Sequence, residues 1–272
     1  MNERRNVTGL YDRGAALATG AGAATEPPAL DARERASLLD LVWGPTAIFL
    51  SVLYTIILAP FAALATFAQR GDLVSYVVRL WARLILLTCG IKVDIAGREH
   101  LAALKSYVMI TNHQSLFDIV ATIGRVNPTM RFVAKKELLR IPLIGFIMRH
   151  SGHVMIDRQS GGKSIRRALR DMARGYPLCV FAEGHRHADG RVHEFNDGGA
   201  WLAIASGLPC VPAAISGSAA FFPRGARIVR PGRRMRIAIG APIATEGLRS
   251  ADRQRLTEQL EGEVRELYST IA

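Results

Sequence analysis

Cysteine and acidic residues are scarce in this chain of 272 residues. The three cysteines, Cys89, Cys179 and Cys210, lie far apart, which excludes a disulfide framework and a CxxC metal site and favours a reducing compartment. Lys and Arg number 35 against 23 Asp and Glu, so the net charge is +12 and anionic partners are favoured. The serines lack the GxSxG pattern of a nucleophile elbow. The sequence therefore points to chemistry without a nucleophilic serine or cysteine.

Charge is absent from residues 41–68, which would span about 42 Å as one helix, against roughly 30 Å for a bilayer core. Pro60 is expected to kink or end this helix, leaving Thr46–Ala59, about 21 Å long, which is too short for a full crossing. That length favours a re-entrant or interfacial helix, although a kinked span stays open. A signal peptide cleaved after Ala65 is a weaker alternative, because a long tail precedes the apolar stretch.

A second helix is predicted at Leu73–Thr88, after a turn at Gly71. We predict that residues 38–90 form a membrane-associated helical hairpin lying in one leaflet. The second helix could equally pack as an amphipathic helix on the globular part, and both interpretations can hold together. Residues 1–37 have too few apolar side chains for a core and are expected to form a flexible tail.

After Gly90 the pattern predicts an α/β domain at residues 91–272, with a largely parallel central sheet flanked by helices. Apolar, β-branched runs predict strands at 107–110, 131–134, 153–156, 178–182, 211–215 and 236–239. Helices are expected near 116–124, 141–149, 163–173 and 200–206, and from about 251.

The first of these strands is followed by a histidine and an aspartate, His113 and Asp118. The carboxyl ends of strands in open α/β sheets are where ligand sites tend to lie. Ser115 is expected to cap the next helix, which would place Asp118 at its third position and let the carboxylate lean back toward the imidazole. A carboxylate so placed fixes the tautomer of the ring and stabilises the imidazolium. The pair would be a general base for a substrate hydroxyl or for water.

Four further blocks follow in order: Lys135–Leu138, Gly152–Arg158, Phe181–Arg186 and Val211–Ile215. With the HxxxxD segment, they resemble the glycerolipid acyltransferases of the 1-acylglycerol-3-phosphate (lysophosphatidic acid) acyltransferase group, over about residues 75–240. The resemblance implies an enzyme that transfers an acyl chain from a thioester to a lysophospholipid hydroxyl without a covalent intermediate.

The roles of individual residues are carried over from the same resemblance. His113 would be the base and Asp118 its orienting partner. The acceptor or acyl group would be bound by Glu183, Gly184, Arg186, Arg158, Lys135 and Pro212. No metal or other cofactor is implied, and the acyl donor would be acyl-CoA or acyl carrier protein. The resemblance also implies contact with membrane lipids at the cytoplasmic face of the inner or plasma membrane.

The chain departs from the family at the third block, where Ala182, His185 and His187 replace Pro, Thr and Ser. Another acceptor, such as a lyso-ornithine lipid or another lysophospholipid, is therefore an alternative to lysophosphatidic acid. A metal-dependent hydrolase using His185 and His187 is a rival, but Gly190 stands where an HxHxDH site needs histidine. Nucleic-acid binding is disfavoured, because the arginine run at 224–236 has few interleaved aromatic residues.

Overall fold

The computed structural model describes residues 37–135, 139–140, 144–150, 153–156, 169, 175–187, 189–223, 225–226 and 228–272. The predicted tail, apart from its last residue, lies outside these residues, and so does nearly all of the helix predicted at 163–173. The strands are β1 (Lys92–Ala96), β2 (Val108–Thr111), β3 (Arg131–Lys135), β4 (Val154–Ile156), β5 (Leu178–Phe181), β6 (Cys210–Ser216) and β7 (Arg234–Ile239). The α-helices are α1 (Leu38–Phe67), α2 (Gly71–Thr88), α3 (Phe117–Ala121), α4 (Ile144–His150), α5 (Gly198–Ser206), α6 (Ser218–Phe221) and α7 (Arg253–Ile271).

The strands form one sheet in the order β1-β7-β6-β2-β5-β3-β4. Every neighbouring pair is parallel except β6 and β7, which are antiparallel. The predicted α/β fold with a largely parallel sheet is confirmed, and all six predicted strands are present. The sequence prediction missed β1, an edge strand whose exposed Lys92 and Asp94 flank the buried Val93 and hide the apolar signal.

Helices cover both faces of the sheet. On one face, Leu86 of α2 and Val120 of α3 belong to the same buried cluster as Met109 of β2. On the other face, Leu202 of α5 and Leu260 of α7 pack in a cluster with neighbouring residues of the same strands. Such a sheet, buried on both sides, leaves its strand ends as the accessible part.

Helix α1 is longer than predicted. It begins after Ser37, whose hydroxyl accepts the Asp40 N–H at 3.1 Å while the Asp40 carboxylate accepts the Ser37 N–H at 2.9 Å. The expectation that Pro60 ends the helix is wrong, because α1 continues to Phe67 with Pro60 on its exposed side. Residues Asp40–Phe67 have a mean hydropathy of up to 2.3 and are mostly unburied, so α1 is long and apolar enough to cross a membrane.

Helix α2 returns along α1 and also packs on the globular part. Trp81 donates its indole N–H to the Thr55 hydroxyl of α1 at 2.9 Å. A Cβ placed on Gly124 would lie only 3.2 Å from the Ala82 side chain of α2, so glycine permits this close packing. Tyr76 and Leu87 remain exposed on the opposite side of α2. The amphipathic interpretation of the second helix is therefore correct, and the hairpin is joined to the domain along one face.

Candidate active site

The loop that carries His113 begins where β2 ends, beside the end of β5. Thr111 of β2 is the register partner of Phe181 of β5. The Asn112 side chain then bridges to β6, donating to the Ile215 carbonyl at 2.9 Å and accepting the Ile215 N–H at 2.8 Å. Because Asn112 is fully buried and bonded on both sides, the position of the next residue is fixed by the sheet itself.

His113 and Asp118 are in direct contact. The imidazole Nδ1 lies 2.8 Å from Asp118 Oδ2, and the same oxygen accepts the N–H groups of Gln114 at 2.8 Å and Ser115 at 2.9 Å. The Asp118 side chain is fully buried, whereas 12% of the His113 side chain is exposed. With Nδ1 directed at the carboxylate, Nε2 is the nitrogen left to exchange a proton.

The helix that follows starts slightly later than expected. Helix α3 begins at Phe117, with Leu116 rather than Ser115 as its N-cap. The Ser115 hydroxyl nevertheless accepts the Phe117 N–H at 3.3 Å, as a capping side chain does, and it also donates to the Phe222 carbonyl at 2.6 Å. The Asp118 carboxylate accepts the N–H groups of Gln114 and Ser115, so the aspartate and the serine close the turn together. This turn is what brings residues five apart onto the same side.

Two contacts around His113 escaped the sequence prediction. The ring of Phe181 stacks on the imidazole with centroids 3.8 Å apart and planes at 16°. The C-terminal helix α7 contributes Tyr268, whose hydroxyl accepts from Gln114 Nε2 at 3.0 Å and donates to the Gly190 carbonyl at 2.7 Å. The order of the strands places Phe181 beside His113, and no local pattern reveals that order. Tyr268 is distant in sequence and is likewise brought in only by the fold.

A cavity of about 1100 Å³ opens in front of His113. Its polar end is lined by His113, Glu183, Gly184, His185, Arg186 and Asn196. Its apolar walls come from α1 and α2 as well as from the domain, and include Leu58, Ala62, Val77, Trp81, Ile123 and Met148. The long apolar helices predicted as a membrane hairpin thus form part of the wall of the site.

Glu183 sits at the polar end in a buried position. Only 3% of the residue is exposed, and its Oε1 accepts the His193 N–H at 3.3 Å. Burial raises the pKa of the Glu183 carboxyl to about 8, an effect that the negative charges of Asp118 and Asp189 increase and the backbone N–H groups of His193 and His113 oppose. Its Oε2 is buried without a hydrogen-bond partner among the described residues. A carboxyl group in this setting is neutral at neutral pH.

Gly184 and Arg186 follow on the same turn and both line the cavity. Gly184 has φ of 74°, in the left-handed region that favours glycine, and its N–H donates to the Phe181 carbonyl at 3.1 Å. The N–H of His187 donates to the His113 carbonyl at 3.0 Å, which ties this turn to the His113 loop. The third block therefore lies directly against the proposed base.

The remaining candidate residues are placed elsewhere. Pro212 is buried inside β6 with Ile110 as its register partner, and it is absent from the described lining of the cavity. Lys135 is the last residue of β3, and its side chain lies outside the described part of the structure. Arg158 also lies outside the described residues. The binding roles of these three residues stay predictions.

Three histidines in and after the third block, His185, His187 and His193, contact one another. His187 stacks on His193 with centroids 3.6 Å apart, His185 lies 4.3 Å from His187, and His193 Nε2 is 2.8 Å from Asp189 Oδ2. Among the described residues, no group of three or more His, Cys, Asp or Glu side chains is arranged to hold a metal ion. The geometry thus gives no support to the metal-dependent hydrolase.

Comparison with known proteins agrees with the geometry. A family model described as Acyltransferase matches residues 92–216, which run from β1 to the end of β6 and include the His113 loop and the Phe181–Arg186 turn. Over these residues the chain is similar to the acyltransferase family. The resemblance inferred from the motifs is confirmed at this level.

Several relatives of similar sequence are named as 1-acyl-sn-glycerol-3-phosphate acyltransferases. The chloroplast 1-acyl-sn-glycerol-3-phosphate acyltransferase BAT2 of Brassica napus is 31% identical over 79% of this chain and 62% of its own length. The mouse 1-acyl-sn-glycerol-3-phosphate acyltransferase alpha is 27% identical over 70% of each chain. The chain thus spans about three fifths of the length of the plant relative. The crystal structure of the 1-acyl-sn-glycerophosphate acyltransferase PlsC of Thermotoga maritima matches with a TM-score of 0.75, at 24% identity, over 85% of this chain and 95% of that one. This structural match supports the fold.

Proposed function

We propose that this acyltransferase moves a fatty acyl chain from an acyl thioester to the free hydroxyl of 1-acyl-sn-glycerol 3-phosphate, giving phosphatidic acid. The observation that carries the proposal is the His113–Asp118 pair at the polar end of a cavity with otherwise apolar walls. One base, one anion-binding turn and one long apolar space correspond to the three parts that this reaction must hold: a hydroxyl, a headgroup phosphate and an acyl chain.

The chemistry follows from the orientation of the imidazole. The Nε2 atom of His113 takes the proton of the acceptor hydroxyl as the hydroxyl oxygen attacks the thioester carbonyl. Asp118 holds Nδ1–H at 2.8 Å and stabilises the imidazolium that forms. The carbon–sulfur bond then breaks, and the proton passes from Nε2 to the leaving thiolate. An ester bond forms and a thioester bond is lost, and the enzyme needs no nucleophile of its own.

The headgroup belongs at the turn of the third block. Arg186 carries a planar guanidinium, which suits two parallel hydrogen bonds to a phosphate, and Gly184 has no side chain to hold an anion away from the backbone. Both residues line the polar end of the cavity beside His113. The neutral Glu183 adds no negative charge that would repel the phosphate.

The acyl chain would lie along α1 and α2. The outer side of α1 exposes large apolar residues such as Phe49, Ile56 and Leu64. An exposed apolar surface of this kind marks a membrane contact. With the other side of the hairpin lining the cavity, the lipid acceptor would enter from the bilayer at the cytoplasmic face, with acyl-CoA or acyl carrier protein as donor and no cofactor.

A second acceptor class is favoured by one specific feature. The ring cluster of His185, His187 and His193 lies next to Arg186, and His185 and His187 stand at positions where the sequence departs from the family pattern. A lyso-ornithine lipid or another lysophospholipid, with a headgroup other than a phosphomonoester, would find imidazole donors and acceptors at this place.

A panel of lysolipids offered with acyl-CoA and with acyl-loaded carrier protein tests the proposal, with mass spectrometry of the products. Phosphatidic acid as the main product would support lysophosphatidic acid as the acceptor, whereas another diacyl lipid would select the alternative. Release of free fatty acid with every acceptor, and no new ester, would contradict the transferase assignment.

A further inference from the structure

Four rings stand in a nearly parallel row across the cavity wall. His113 stacks on Phe181, Phe181 lies 6.1 Å from Phe132 at 14°, and Phe132 lies 6.1 Å from the ring of His153 at 16°. The order of the rings follows the order of the strands β2, β5, β3 and β4. His153 directly precedes β4, and all four rings line the same cavity.

The protonation of His153 can be read from its hydrogen bond. The backbone N–H of Phe132 donates to His153 Nδ1 at 3.1 Å, so Nδ1 is the acceptor nitrogen. Burial, together with the nearby positive charge of Arg131, lowers the pKa of the His153 imidazole to about 3. The ring is therefore neutral at working pH, and its one proton must be on Nε2.

Among the hydrogen bonds of the described residues, the His153 ring takes part only through Nδ1, so its Nε2–H has no acceptor there. Of the other polar side chains that line the cavity, Thr55 has its hydroxyl bonded to both Trp81 and Ser51, and the rest belong to the cluster around His113. Among the described lining residues, His153 thus presents a donor without an acceptor in a part of the cavity where the other side chains are apolar.

A donor so placed discriminates between ligands. A plain hydrocarbon chain lying against Nε2–H would displace water and leave the donor unpaired, which is unfavourable. A chain with an oxygen at that point would restore the hydrogen bond. Sites built around a polar group reject ligands that lack its partner more strongly than apolar sites reject ligands of altered size.

We propose that His153 is a binding subsite for an oxygen atom carried on the lipid chain in the cavity, the hydroxyl or keto oxygen of an oxygenated acyl group. The inference rests on the proposed function, because it takes the cavity to hold an acyl chain. The subsite makes the enzyme prefer an oxygenated acyl donor over its saturated counterpart.

The position of the subsite along the bound acyl chain follows from the spacing and register of the strands. Strands β2 and β4 are separated by three strand intervals, about 14 Å at roughly 4.8 Å each. Phe132 is the register partner of Cys179, and Phe181 lies further along β5 at the level of Thr111, so His153 is also deeper in the cavity than His113. The oxygen it binds therefore lies in the middle or far part of an acyl chain, and a hydroxyl next to the thioester would not reach it.

The test compares octadecanoyl-CoA with a series of isomers carrying one hydroxyl at successive positions along the chain. For wild-type protein in mixed micelles with lysophosphatidic acid, kcat/KM is expected to rise by about three- to tenfold for mid-chain isomers and not for isomers hydroxylated near the thioester. His153→Phe keeps a ring and removes the donor, and it should abolish this preference. Met148→Leu, another change in the cavity lining, should preserve it.

Binding measured without turnover separates the inference from the proposed function. The free octadecanoic acid and its hydroxylated isomers are used to displace a fluorescent fatty acid from purified wild-type protein. Tighter binding of the mid-chain isomers supports the subsite even if no ester is formed, an outcome that would overturn the proposed function alone. Equal binding and equal kcat/KM for all isomers would overturn the subsite, and because this comparison uses wild-type protein it does not depend on the folding of His153→Phe.

Discussion

At the polar end of the cavity the side chains are held by specific hydrogen bonds, whereas the end formed by α1 and α2 is shaped by apolar packing. Asp118 Oδ2 alone takes three donors, from His113, Gln114 and Ser115. Along α1, by contrast, Leu58 and Ala62 face the cavity while Ile57 and Phe61 are exposed on the outside. The polar end therefore depends on exact geometry, and the apolar end depends on shape and on the surrounding lipid.

The two ends should respond differently to substitution. A change at the polar end should alter the rate with any acyl chain, because every substrate passes through the same proton transfer. A change at the apolar end should alter which chains are accepted and leave the chemistry intact.

The largest effect is expected for His113→Ala, which removes the base. Transfer should fall by about 10⁴-fold, since a positioned base contributes roughly 10²–10⁴ and no neighbouring group replaces it. Asp118→Asn keeps the shape and removes the charge, so it should lower kcat by a smaller factor, about 10²-fold. Initial rates with octadecanoyl-CoA, together with thermal unfolding to verify the fold, measure both. Substantial transfer by folded His113→Ala would remove the base assignment.

At the apolar end of the cavity, Ala62→Phe is expected to have an effect of intermediate size on kcat/KM. The added ring should fill cavity volume against α2, so that kcat/KM for octadecanoyl-CoA falls about tenfold while that for a short-chain donor changes little. Leu64→Phe adds an aromatic ring to the exposed side of the same helix and is the matched control. Equal losses for long and short donors would show that α1 does not line the acyl site.

Arg186→Ala should weaken acceptor binding while leaving the base in place. The acceptor KM is expected to rise about tenfold with little change in kcat, because the phosphate contact is made in both the ground state and the transition state. Arg191→Ala, an exposed arginine near the same loop, serves as the control. An unchanged acceptor KM in Arg186→Ala would speak against a phosphate contact.

The smallest effect concerns the pH dependence of stability through Glu183. The pKa of this carboxyl is raised from 4.5 to about 8, so the folded protein holds a proton that the unfolded chain releases between these values. Its contribution to the free energy of unfolding is therefore complete below pH 4.5 and is lost as the pH rises toward 8. Glu183→Gln should remove this loss and become the more stable protein above pH 8, whereas the exposed Glu266→Gln should follow the wild type. Parallel curves for Glu183→Gln and wild type, from thermal unfolding across pH, would refute the assignment.

The sequence predicts the parts of this molecule that depend on neighbours in the chain. His113 and Asp118 are five residues apart, and one turn determines whether they meet, so their contact could be foreseen. The six strands β2 to β7 are marked by apolar runs, and helix α7 by its periodicity. These are local properties, and they remain the same in any arrangement of the strands.

The parts that were missed depend on long-range packing. The stacking of Phe181 on His113 and the bond between Gln114 and Tyr268 exist only after the strand order is set and the C-terminal helix has docked. The continuation of α1 beyond Pro60 was also not foreseen: proline removes one backbone donor and is disfavoured inside a helix, yet α1 continues to Phe67. Strand β1 was hidden by the charges that an edge position permits.

In the proposed reaction the acceptor hydroxyl attacks the thioester directly, with the proton removed by His113. One experiment in two stages tests this directly. Wild-type protein is first mixed with isotope-labelled octadecanoyl-CoA in the absence of acceptor, and its intact mass is measured. Lysophosphatidic acid is then added. Direct attack predicts an unmodified protein mass in the first stage and labelled phosphatidic acid in the second. A protein-bound acyl group that later passes to the acceptor would contradict it.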